Sequence, residues 1–151
     1  MKDVRNVVLD TNVLVAGFLS KKGDSSQIIE MVLSGMITIH YHVEILEEYN
    51  FVLSLNNFKG RISPDDVKKF LNYITKFAKN VIVSKSNISL PDESDRIFYD
   101  VAKEAGAILV TSNIKHYPFE DSIMEPSSYI GAYRNQLWKS IKPPTIVEIK
   151  H

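Results

Sequence analysis

The stretch that decides the fold is Val7-Val8-Leu9-Asp10-Thr11-Asn12-Val13-Leu14-Val15-Ala16, "VVLDTNVLVA", near the start of a 151-residue chain. Three polar residues interrupt an otherwise apolar run. Val4 to Leu9 is short and β-branched with no helical period, as expected of a strand buried on both faces. Val13 to Leu19 reads as a helix, so Asp10-Thr11-Asn12 marks the carboxyl end of the strand. An ionised carboxylate there is costly to bury unless hydrogen bonds or a cation compensate it. Whatever compensates Asp10 has to come from the remainder of the chain.

The same alternation repeats downstream. Ser25 and Ser26 are candidate caps for a helix that carries Ile28, Ile29, Val32 and Leu33 and stops at Ser34-Gly35. Met36 to His40 is a second strand candidate. From His42 to Leu55 one stripe is formed by Ile45, Leu46, Tyr49, Val52 and Leu53. Ser63-Pro64-Asp65-Asp66 is a helix start, with a capping serine and a proline in the first turn, and that helix is expected to run to Lys79. Val81-Ile82-Val83 reads as a third strand. A Ser-, Asn- and Pro-rich loop follows, then a helix from Glu93 to Glu104 closed by Gly106. Ala107 to Val110 is a fourth strand ending in Thr111-Ser112-Asn113, a short strand is expected near Ile123, and a last helix spans Ser127 to Trp138.

Strands alternating with helices imply a parallel sheet with helices on both faces. The expectation is an α/β protein, three-layer α/β/α, with four to five strands. It forms one domain over residues 1–151, with a Pro-rich tail from about residue 139 outside the core. In such sheets the working site lies beyond the carboxyl ends of the strands, where strand order reverses. Both polar strand ends belong to that edge.

Composition narrows the chemistry. The 44% hydrophobic and 24% charged content is that of a soluble globular protein, and the absence of cysteine excludes disulfides and thiolate metal sites. The first residues form neither a signal peptide nor a membrane span, which makes a cytoplasmic protein the expectation. Eighteen basic residues balance eighteen acidic ones, so net charge supplies no argument for a nucleic-acid partner.

Acids are ranked by position. At about 100° per residue, Glu47 points away from the apolar stripe of its helix and Glu44 lies well off it. Glu48 falls on its border and can look toward a cleft, or stand as a half-exposed surface acid. Asp92 and Asp95, in "LPDESDR", sit where a helix N-terminus favours acids in any case. Asp95 is set apart by its place in the first turn of the helix that precedes the Thr-Ser-Asn strand. Carboxylates converging at one sheet edge repel unless a cation lies among them. Oxygen-only ligation with retained waters suits Mg²⁺ or Mn²⁺, which activate water for phosphodiester hydrolysis.

Four segments in this order, "LDTNVLV", "ILEEYNFVLS", "DESDRIFYDVAKEAGAILVTSN" and "IKHYPF", resemble the PIN-domain family over Val4 to about Ile130. The similarity is greatest to the branch of toxin components of bacterial toxin–antitoxin pairs. The resemblance implies a ribonuclease for single-stranded RNA that uses Mg²⁺ or Mn²⁺. Asp10, Glu48 and Asp95 match its three acids, as catalytic and metal-holding residues, with Asp92 an upstream companion. Thr11 and Asn12 match residues that orient the first acid, and Thr111, Ser112 and Asn113 match the segment after strand four. Many members carry a fourth acid there; here Asn113 and His116 occupy its two positions, which removes a negative charge. Lys21, Lys22 and Lys115 are candidates for gripping RNA phosphates. A homodimer and a small antitoxin partner are likewise implied by the resemblance alone.

Other architectures place acids at strand ends. A binding module derived from a PIN domain, for RNA or protein, is consistent with Asn113 and the neutral charge. A haloacid dehalogenase-like phosphatase requires a second aspartate where Asn12 stands. A receiver-like module requires a lysine where strand four leads into Ser112-Asn113. Tyr129, Tyr133 and Trp138 on the last helix are expected to cover the sheet or to form a dimer contact.

Overall fold

The computed structural model describes residues 2–141. Five strands, β1 (Asn6–Leu9), β2 (Thr38–Tyr41), β3 (Lys79–Asn80), β4 (Ile108–Val110) and β5 (Ile123–Met124), form one sheet in the order β3-β2-β1-β4-β5. Every pairing is parallel. Helices α1 (Thr11–Leu19), α2 (Asp24–Leu33), α3 (Val43–Phe58), α4 (Pro64–Phe77), α5 (Arg96–Ala105) and α6 (Pro126–Ile141) flank it, giving the three α/β/α layers. Helix α5 lies along β1, β2 and β4, while α1 packs on α2 and α3, and α2 on α6.

β1 is central because it is apolar on both faces: Val7, Val8 and Leu9 are all fully buried. The chain moves from β1 outward to β2 and β3, then returns to place β4 on the other side of β1. Strand order therefore reverses between β1 and β4, the position where α/β sheets open a crevice. Asp10 and Thr111 follow these two strands directly.

Several boundaries differ from the sequence expectation. Asp10 is extended (φ −63°, ψ 146°) and caps α1, with Val13 N–H donating to its carbonyl at 2.9 Å, so Thr11 and Asn12 belong to the first turn. Strand and helix thus meet with no loop between them. Helix α2 is capped by Gly23 rather than by a serine, and Ser25 is buried within it. Helix α4 opens as expected, its Ser63 hydroxyl accepting from Asp66 N–H at 3.4 Å, but it ends at Phe77. β3 is accordingly Lys79–Asn80, not Val81–Val83. β2 ends at Tyr41, whose carbonyl takes a last bond from Val81 N–H at 2.7 Å. Beyond it the valine run has no partner strand among the described residues.

Helix α6 is described as far as Ile141, and the expected Pro-rich tail falls largely on residues 142–151, which lie outside the described residues. Tyr129 is fully buried and donates its hydroxyl to Val4 C=O, Tyr133 packs on the core, and Trp138 is exposed. Among the described residues no helix is long and apolar enough to cross a membrane.

Candidate active site

Asp10 is held in the crevice by the backbone before its side chain does anything. Its N–H donates to Val110 C=O at 2.9 Å, continuing the β1–β4 ladder by one residue. The side chain is then buried, with 5% exposure. Two hydroxyls compensate it: Thr111 Oγ1 and Tyr117 OH each donate to Oδ2 at 2.9 Å. Such charge-assisted bonds offset much of the cost of burying an anion. The Thr111 hydroxyl also accepts from Asn113 N–H at 3.0 Å, which orients its proton toward Asp10.

Glu48 reaches the same edge from α3. The neighbouring residue, Tyr49, is fully buried and donates its hydroxyl to Leu9 C=O, fastening α3 to the end of β1. This sets the rotation of the helix, so Glu48 is half-buried while Glu44 and Glu47 are exposed. Thr11 donates its hydroxyl to Glu48 Oε2, tying the second acid to the first turn of α1. Asn12 Oδ1 accepts from Ser112 N–H at 3.1 Å, joining that turn to the segment after β4.

Asp95 arrives at the end of a 3-10 turn (Glu93–Asp95) that leads into α5. Asp92 caps that turn, its Oδ1 accepting from Ser94 N–H at 3.0 Å and from the Ser94 hydroxyl at 2.8 Å. Those bonds hold the Asp92 carboxyl below its ordinary range. Arg96 anchors the preceding stretch, donating to Ser86 C=O at 2.9 Å and to Ile88 C=O at 2.6 Å. His116 Nδ1 lies 3.1 Å from Asp95 Oδ2.

The electrostatics show that these acids share one field. Burial pushes the Glu48 carboxyl above its ordinary value against the opposing Thr11 bond, and Asp10, Asp95 and Asp92 push it further. Burial also raises Asp95, with Asp10 the next contributor and the His116 bond working against it. Tyr117 is held as a protonated donor far above the usual phenol range, first by burial and then by the Asp10 and Asp95 charges.

Asp10, Glu48 and Asp95 are thus joined by Thr11, Thr111, His116 and the Asn12–Ser112 bond into one polar edge. Lys115 is exposed on the 3-10 turn Ile114–His116, one residue from His116. Lys21 and Lys22 are exposed in the turn beyond α1. Nine residues of helix carry the chain there, about 13 Å from the Asp10 end at about 1.5 Å per residue. Tyr117 was not singled out from the sequence. Its signal was a tyrosine close after a strand-end Thr-Ser-Asn, a buried aromatic whose hydroxyl needs a polar partner.

The PIN domain family profile matches residues 6–115, which takes in β1 to β4 and all three acids. The chain belongs to the PIN domain family. No curated protein and no solved structure matches it. PIN domains are generally nucleases that use divalent metals, and the donor set here suits one. The three carboxylates offer only oxygen, and a hard cation among them would relieve their mutual repulsion. Among the described residues no three His, Asp or Glu side chains close into a cage. Mg²⁺-type ions keep several waters and take only one or two direct carboxylates, so an open edge of this kind fits them.

Proposed function

We propose that this PIN domain is a ribonuclease that hydrolyses phosphodiester bonds of single-stranded RNA with Mg²⁺ or Mn²⁺. Asp10, Glu48 and Asp95 would hold the ion, directly or through water. The observation that carries the reading is the shared field of these three acids at the switch point of the sheet. When bound, the ion supplies a water of lowered pKa and neutralises charge on the scissile phosphate.

The chain's own groups divide the remaining work. Asp10 is an anchored ligand, since one of its oxygens is committed to two donors. Asp95, whose carboxyl is oriented by His116 Nδ1 at 3.1 Å, or Asp10 would accept the proton of the attacking water. Lys115 is the nearest in sequence of the candidate phosphate grips. The absence of an acid at Asn113 leaves less negative charge to concentrate metal. A role as toxin of a toxin–antitoxin pair, a small antitoxin partner and a homodimer are supported by motif resemblance.

The test is cleavage of a single-stranded RNA with Mn²⁺ or with EDTA, for wild type and D10N. Cleavage that requires Mn²⁺ and falls by about a hundredfold or more in D10N is the expected outcome. RNA binding without cleavage in either protein would favour the binding module instead. Release of phosphate from small monoesters, with RNA untouched, would point to a phosphatase.

A further inference from the structure

We infer that Tyr117 is a positioning residue for Asp10: with Thr111 it clamps Oδ2, so that Oδ1 is the oxygen offered to a cation. The inference rests on the metal-dependent reading above. It begins from an asymmetry in how Asp10 is bonded. Both side-chain hydroxyls that reach the carboxylate donate to the same oxygen, each at 2.9 Å. Among the described residues no donor reaches Oδ1.

The two donors come from opposite ends of one segment. Thr111 follows β4 immediately, and Tyr117 returns after the 3-10 turn Ile114–His116. Tyr117 is itself buried, at 7% exposure, and Thr111 is fully buried. A carboxylate bonded once can pivot about its contact. Bonded twice on one oxygen, and with its own N–H tied to Val110 C=O, it keeps both its plane and its free oxygen in place. Partners behind a metal-holding carboxylate orient it in this way, and their loss commonly weakens metal binding or activity.

The segment also serves a second acid. Between the two hydroxyls, His116 contacts Asp95. The same seven residues thus secure two carboxylates from behind. A phenylalanine at position 117 would fill the same space and leave Oδ2 with Thr111 alone.

Y117F is therefore the informative variant, because only the hydroxyl is removed. Mn²⁺ affinity is measured by electron paramagnetic resonance titration of the free ion, with RNA cleavage followed separately as kcat and KM. Expected are a loss of about tenfold in Mn²⁺ affinity, a lower kcat at saturating Mn²⁺ and an unchanged KM for RNA. A folded Y117F that binds Mn²⁺ within about twofold of wild type, with unchanged kcat, overturns the inference. Should Y117F fail to fold, T111V removes the other donor to the same oxygen and carries the same expected and overturning results. D10N separates the two levels: if it binds Mn²⁺ as wild type does, the metal reading itself fails. If D10N loses Mn²⁺ while Y117F is unchanged, only the positioning role fails.

Discussion

Glu48 and Asp10 solve one problem differently. Asp10 is nearly dry but takes two hydroxyl bonds. Glu48 is only half-buried, takes one bond from Thr11, and is left with its carboxyl raised by burial and by three neighbouring acids. Because its folded value lies above the ordinary 4.5, the favourable contribution of the neutral form is complete below that value. It is lost as pH rises through the raised one. Ionised Glu48 therefore burdens the metal-free fold at neutral pH. In EDTA, E48Q should melt above wild type near neutral pH, and the gap should narrow as pH falls toward the ordinary glutamate range. Thermal melts across that range check it, and a gap independent of pH would show that Glu48 does not titrate in this field. Helical rotation put Glu48 on the border of the apolar stripe but left it also readable as a half-exposed surface acid. Tyr117 was not legible, because nothing local to residues 111–117 says that its hydroxyl returns to β1.

At the scale of elements, helices were easier to read than strands. The Ser63 cap and Pro64 of α4, and the Gly106 stop of α5 at φ 63°, act within one turn and are written in adjacent residues. β3 depends instead on where β2 ends, so a valine run with strong strand propensity is left unpaired and Ile82 is 88% exposed. After the Val81 backbone bond to Tyr41, side chains help hold residues 82–92: Val83 and Ile88 pack on the core, Arg96 grips two carbonyls, and Asp100 accepts from Ser86 N–H at 3.1 Å. Close helix packing supplies another prediction. A Cβ on Gly17 of α1 would lie 2.4 Å from Ile29 Cδ1 and 2.9 Å from Ser25 C=O on α2. The Ile29 side chain can swing away, but the Ser25 backbone cannot without shifting α2. G17A gains about 1 kcal/mol of helix propensity, yet overpacking of this kind costs about 1–3 kcal/mol. A net loss of stability in urea unfolding is expected, despite the better helix former.

The whole molecule gathers acids from three separate elements, β1, α3 and the start of α5, at one edge of the sheet. Their repulsion is a cost of the metal-free fold, and its relief by a cation is a linkage effect. Mn²⁺ at about a hundred times its dissociation constant should stabilise wild type by about 2.7 kcal/mol. EDTA should reverse the shift, and D10N should show little of it, as scanning calorimetry would record. An equal rise in wild type and D10N would place the ion elsewhere. The sequence by itself determined the alternation of strands and helices, the central place of β1 and the acids at element ends, because periodicity, capping and apolar runs act over a few residues. Only the tertiary structure decided the short β3 and the bonding of Asp10 by Thr111 and Tyr117. β3 depends on its pairing with β2, and the bonding of Asp10 depends on groups about a hundred residues apart, brought together when the returning chain lays β4 beside β1.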